Sequence, residues 1–106
     1  MKKLLLTAAI VIGSIGTAQA DVFSDAVKTG ANAGAAEYCL DRHAGDNKSK
    51  WRLLKVKTTK AYGNLNSKER TKALVARKAA EDGEYLGDKL NGKRCDSLRK
   101  MMYVKY

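Results

Sequence analysis

Residues 26–39 read AVKTGANAGAAEYC and decide the fold, because they combine a ridge of small residues with a cysteine. Ala26, Gly30 and Gly34 recur every four residues, so they share one face of a helix. A glycine inside a helix costs up to about 1 kcal/mol relative to alanine. Two glycines on one face therefore indicate that another backbone comes close. The pattern predicts a helix over residues 22–42 that packs tightly against a second helix.

A second ridge with the same spacing consists of Ala79, Gly83 and Gly87. It lies in a stretch over residues 67–90 whose apolar residues also follow helical spacing. We expect this helix and the first one to face each other through their ridges. A further helix is predicted between them, over residues 49–65, and the short connections make sequential helices antiparallel. The predicted fold is an all-α, up-down-up three-helix bundle with a short C-terminal helix.

The chain has two cysteines: Cys39 lies near the end of the first predicted helix, and Cys95 follows the third. Parallel first and third helices bring both cysteines to the same end of the bundle, so they are predicted to form a disulfide. Closing a loop of this length stabilises a fold by about 4 kcal/mol in the chain-entropy model. An alternative makes Cys39 a nucleophile paired with His43 one helical turn later, which requires that Cys95 is unpaired.

Polar residues mark the helix boundaries. Ser24 or Asp21 can cap the first helix. Asn66 with Glu69 resembles a capping box at the start of the third helix. Asn91-Gly92 is typical of a helix stop, so the third helix is expected to end there.

The N-terminal residues have the pattern of a secretory signal peptide. Lysines at positions 2 and 3 precede an apolar run over residues 4–15, and Ala18-Gln19-Ala20 is a small-x-small cleavage site. The apolar run is shorter than the about 20 residues that span a bilayer. We expect cleavage after Ala20, which leaves a single helical domain over residues 21–106 in the periplasm or outside the cell. The alternative is a retained N-terminal anchor.

Positive charge is concentrated in and just after the second predicted helix. The chain carries 21 Lys and Arg against 11 Asp and Glu, and loss of the leader lowers its formal net charge from +10 to +8. Between residues 47 and 68 there is no acid and there are seven cations: Lys48, Lys50, Arg52, Lys55, Lys57, Lys60 and Lys68. Trp51 heads an apolar stripe that we assign to the core, whereas Leu53 and Val56 fall roughly opposite it. This outward face, both basic and partly apolar, is the candidate partner- or anion-binding site.

The composition argues against an enzyme. The chain has one histidine, no glycine-rich phosphate loop and no metal-ligand spacing, so no catalytic residue, cofactor or metal is expected. The leading hypothesis is an exported interaction protein whose basic helix binds a protein of the cell envelope or of secretion or transfer machinery, or an exported toxin. Alternatives are a binder of anionic phospholipid, lipopolysaccharide or other polysaccharide, or nucleic acid, a periplasmic stress chaperone, and a face that is merely solvated. Chromosomal DNA is not an expected partner, because export separates the protein from it.

The C-terminal residues are unusually apolar for a free tail. Met101, Tyr103, Val104 and Tyr106 lie within the last six residues. We expect them to dock on the bundle, with engagement of a partner as the alternative.

Overall fold

The computed structural model describes residues 23–106, so the predicted leader and its cleavage site lie outside the described residues. Four α-helices and one short hairpin follow each other along this part of the chain. The elements are α1 (Asp25–Arg42), a 3-10 turn (Gly45–Asn47), α2 (Lys48–Gly63), α3 (Ser67–Glu81), β1 (Glu84–Tyr85), β2 (Asp88–Lys89) and α4 (Gly92–Lys105). The predicted all-α bundle with a C-terminal helix is confirmed.

Three of the helices begin at side-chain caps. The side-chain oxygens of Ser24, Asn66 and Asn91 each accept a hydrogen bond from the main-chain N–H three residues later, at 3.2, 2.8 and 2.8 Å. Each bond satisfies a donor that the first helical turn would otherwise leave unpaired. The first two caps agree with the sequence prediction. The third corrects it, because Asn91 starts α4 and does not end α3.

The first small-residue ridge brings the backbones of α1 and α3 close together. A Cβ at Gly30 would overlap the carbonyl oxygen of Ala73, and a Cβ at Gly34 would overlap that of Arg77. The Cβ at Gly34 would also lie 2.8 Å from the Cβ of Ala80. The facing residues advance in the same direction along both helices, so α1 and α3 run parallel. The glycines therefore allow the backbones of α1 and α3 to touch.

The second predicted ridge, Ala79, Gly83 and Gly87, does not exist as a helix face. The α3 helix ends at Glu81, before both glycines. Gly83 and Gly87 have φ of +101° and +92°, a left-handed conformation that glycine adopts without steric cost. Gly83 still lies against α1, since a Cβ there would be 3.0 Å from the ring of Tyr38. The spacing fits a helix, but these glycines terminate α3 and shape a hairpin.

The hairpin pairs Glu84 with Lys89 and Tyr85 with Asp88 in antiparallel register. Its two-residue turn is Leu86-Gly87, and both residues have positive φ, as a type I′ turn requires. A bulky residue in this region is strained. The Leu86 side chain is partly buried against the core, and this packing offsets the strain.

The core lies around the disulfide, with α1 between α2 and α3. Cys39 and Cys95 are bonded, with Cα atoms 5.7 Å apart, and both are fully buried. The predicted bridge is confirmed, and the alternative of a Cys39 nucleophile is wrong because its sulfur is bonded. The α2 and α3 helices each pack against α1 and touch each other only marginally. Large buried side chains around the bridge are Trp51, Leu54, Leu90, Leu98 and Met102.

A buried polar network ties the hairpin and the C-terminus to α1. Asn32 is 1% exposed. Its Oδ1 accepts a hydrogen bond from the Tyr85 hydroxyl at 2.6 Å, and its Nδ2 donates to the Tyr106 hydroxyl at 2.9 Å. Burial raises the pKa of Tyr85 to about 12, against the opposing effect of the Arg94 charge. The network joins residues far apart in sequence, and no local pattern signals it.

The C-terminal helix docks through one face only. Met102 is fully buried, and the Tyr106 hydroxyl reaches Asn32. Three apolar residues of its last turns are exposed: Met101, Tyr103 and Val104. At about 100° per residue, Met101 and Val104 lie about 60° apart on one side of α4, and Tyr103 points to another side. The expected docking therefore applies to part of the tail.

Candidate functional site

The α2 helix separates its buried and exposed sides as the sequence predicts. Trp51, Leu54, Thr58 and Tyr62 are buried. The opposite side is the basic face, which we define as Lys48, Lys50, Arg52, Leu53, Lys55, Val56, Lys57 and Lys60. Lys55 is half-buried and the other seven are exposed. The remaining predicted cation, Lys68, is exposed on the first turn of α3 and does not belong to this helix.

The two apolar residues of the basic face are open to solvent. Leu53 is 45% and Val56 is 66% exposed. They are three residues apart and therefore about 60° apart around the helix. Val56 lies on the side of α2 that faces the end of α1, whereas Leu53 does not.

An open depression of about 740 Å³ lies between α1 and this side of α2. The residues that line it are Leu40 of α1 and Arg52, Lys55, Val56, Thr59 and Lys60 of α2. Leu40 and Val56 supply apolar surface, and three cations surround it. The α2 residues recur at intervals of three and four, so they form one stripe. Sequence reasoning missed Leu40 and Thr59 as members of the site, because only the packing of the two helices brings Leu40 beside the basic face.

The cations of the basic face form no ion pair within the part of the chain that the structure describes. Ion pairs there are formed elsewhere, by Arg77 with Glu81, Arg94 with Asp88 and Arg99 with Asp96. Lys57 donates a hydrogen bond to the main-chain oxygen of Tyr106 at 3.2 Å. Asp41 approaches only one edge, where it shares a smaller depression with Lys48 and Arg52. The face therefore presents a positive electrostatic potential to the solvent.

The aromatic residues of α2 lie away from the basic face. Its helix carries two aromatic residues, Trp51 and Tyr62, and both rings are buried on the other side. The face thus offers no ring on which a nucleic-acid base can stack.

Among residues 23–106 there is no group of three His, Cys, Asp or Glu side chains placed to hold a metal ion. Over the same residues, no helix has the length and apolar character needed to cross a membrane.

A second depression, of about 480 Å³, lies on another side of the molecule. It runs between the start of α1, α3 and the hairpin, and its apolar surface comes mainly from Phe23, Val27, Val75 and Leu86. Lys72 and Glu84 carry opposite charges at its edge. Because these charges are balanced, the depression does not select a partner by charge as the α2 face does.

Comparison of the chain with protein-family models, with curated proteins and with solved structures finds no match.

Proposed function

We propose that the chain is a small, exported, non-enzymatic interaction protein that binds an acidic protein surface through the basic face of α2. The partner belongs to the cell envelope or to secretion or transfer machinery, or is an exported toxin. The observation that carries the proposal is the depression beside α2, where Arg52, Lys55 and Lys60 surround exposed apolar surface without an ion-pair partner in residues 23–106. Protein interfaces combine an apolar centre with charged residues at the rim.

The apolar component favours a binding surface over a face that is only solvated. Solubility requires charge alone, whereas Leu40 and Val56 place apolar side chains among the cations. Export is supported by the pattern of the first 20 residues and by the buried disulfide, since disulfides persist in oxidising compartments.

The second candidate is a binder of anionic surfaces such as phospholipid or lipopolysaccharide. The same cations favour this candidate, because electrostatic attraction to an anionic surface does not require a matching shape. Its distinguishing property is salt dependence, since purely electrostatic binding to a polyanion weakens steeply as salt rises. A protein interface with an apolar centre is expected to persist at high salt.

Affinity capture separates these two candidates. Immobilised oxidised protein is incubated with cell-envelope extract at low and at high salt, and retained molecules are identified. A double variant, Lys57→Glu with Lys60→Glu, reverses charge on α2. The matched control, Lys93→Glu with Lys100→Glu, makes the same charge change on exposed positions of α4.

We expect one protein to be retained at high salt by the wild type and the control, and to be lost with the α2 variant. Retention of lipid, polysaccharide or nucleic acid alone, removed by salt, would favour the second candidate. Equal capture of the same protein by all three forms would show that α2 is not the binding surface.

A further inference from the structure

We infer that the partner places an acidic amphipathic helix in the depression between α1 and α2, with one apolar residue against Leu40 and Val56. A carboxylate on either side of that residue meets Arg52 at one end and Lys60 at the other. This inference rests on the proposed function and narrows the partner to one class of segment.

The spacing of the cations defines what this segment must look like. Arg52 and Lys60 are eight residues apart on α2, which corresponds to about 12 Å along the helix axis. Val56 lies halfway between them, and Lys55 adds a third charge beside it. A helix that lies along α2 therefore needs two acids seven or eight residues apart, with an apolar residue three or four positions after the first. The motif is E-x-x-h-x-x-x-E, where h is an apolar residue, or a variant in which one of the two intervals between h and an acid differs by one residue.

The shape of the depression favours a helix as the occupant. It lies between two neighbouring helices, and a groove of this kind accepts the side-chain ridge of a third helix. None of the side chains that line it is acidic, and Asp41 lies only in the adjoining depression beside Arg52, so the stripe as a whole attracts carboxylates.

A flat anionic surface would contact a different set of α2 residues. A membrane would contact the outermost residues of α2 together, including Leu53 and Lys50, which do not line the depression. A helix seated in the depression contacts Val56 and Lys60 and leaves those two in solvent. The two occupants therefore predict different responses to paired substitutions on one helix.

The test uses a panel of fluorescent peptides of 16 residues, the length of α2, that carry the motif in its spacing variants. A control peptide for each has the same composition, but its two acids are moved by two positions to the other side of its helix. Binding to the oxidised protein is measured by fluorescence anisotropy. Vesicles that mix neutral and anionic phospholipid form a separate arm, measured by co-sedimentation.

Val56→Ser and Lys60→Glu are each expected to weaken binding of the motif peptide about tenfold, because one removes the apolar contact and the other repels a carboxylate. Their matched controls, Leu53→Ser and Lys50→Glu, are expected to change the affinity by less than about twofold. All four substitutions fall on α2 positions that are exposed, so the fold tolerates them. Circular dichroism of each variant verifies this.

Binding by a motif peptide, lost with Val56→Ser and Lys60→Glu alone, supports the inference. Equal affinity for motif and control peptides overturns it, because charge alone then explains binding. If no peptide of the panel binds while envelope capture still depends on Lys57 and Lys60, the helical partner is wrong and the proposed function stands. A last outcome is that the protein binds vesicles but no peptide, captures no protein, and loses vesicle affinity as much with Leu53→Ser and Lys50→Glu as with Val56→Ser and Lys60→Glu. That outcome overturns both the inference and the proposed function.

Discussion

Gly34→Ala tests the contact between α1 and α3 most directly, because two physical effects predict opposite signs. Alanine is the better helix former by about 1 kcal/mol, so a free helix would gain stability from the change. In this fold the new methyl group would overlap the carbonyl oxygen of Arg77 and lie 2.8 Å from the Cβ of Ala80. Neither neighbour is the end of a flexible side chain, so the two helices must move apart.

The expected size of the effect follows from these two terms. Overpacking a rigid contact costs up to about 3 kcal/mol, and the propensity gain returns about 1 kcal/mol. Gly34→Ala should therefore lower the free energy of unfolding by roughly 2 kcal/mol. In urea this corresponds to a midpoint lower by about 2 M, if the slope is about 1 kcal/mol per molar.

The matched control is Gly63→Ala at the last residue of α2. An added Cβ at Gly63 meets nothing within 4 Å, so only the propensity term applies. This variant should raise the free energy of unfolding by about 0.5–1 kcal/mol. Urea titrations of both variants, followed by circular dichroism, check the pair. A Gly34→Ala protein as stable as the wild type would refute the close approach of α1 and α3.

Three further perturbations address other parts of the fold. Reduction of the Cys39–Cys95 bridge, which spans a sequence separation of 56, should lower the free energy of unfolding by about 4 kcal/mol; an unchanged urea midpoint in reductant would contradict this. Tyr85→Phe leaves the buried Oδ1 of Asn32 without its donor and should cost about 1–3 kcal/mol. Because the pKa of Tyr85 is raised from 10.0 to about 12, the folded state holds its proton more tightly than the unfolded state does. The stability linked to it is complete below pH 10 and is lost as pH rises through 12; the difference reaches about 3 kcal/mol. Thermal melts across this range should show a smaller pH dependence in Tyr85→Phe, and equal dependence in both proteins would refute the assignment. Asn66→Ala removes the α3 cap and should cost about 1 kcal/mol, a loss that Asn66→Asp should largely avoid in the same melts.

The sequence predicts the helices and the bridge well because local signals and long-range constraints agree there. Gly30 and Gly34 identify the face of α1 that meets another backbone, and Trp51 identifies the buried side of α2. The two cysteines then fix which ends of the chain must meet. Each of these features can be inferred from spacing alone, since helical periodicity determines which residues share a face.

The prediction is wrong where one spacing fits two conformations. Gly83 and Gly87 are four residues apart, as in a helix ridge, but the backbone uses them at positive φ. Asn91-Gly92 likewise resembles a helix end, although Asn91 caps the start of α4. In both cases local residue preferences favour two structures about equally, and tertiary packing decides between them.

Only the part of the candidate site that lies on α2 can be predicted from the sequence. The cations of α2 and the exposed Val56 follow from helical periodicity, so the sequence places them on one face. The depression itself depends on Leu40, which belongs to another helix. Its membership requires the angle and register of α1 against α2, which no pattern in either segment encodes.

The position of the disulfide has a consequence for the lifetime of the protein in a compartment that contains proteases. The connection between α2 and α3 exposes Asn64 and Asn66 directly after the exposed Gly63, which makes it a natural point of cleavage. Cys39 precedes this connection and Cys95 follows it, so a single cut leaves both pieces covalently joined. The separated α3 piece would still pack against α1 through the glycine contact. A nicked molecule can thus keep its shape and its α2 surface, so one proteolytic event need not destroy the proposed binding surface.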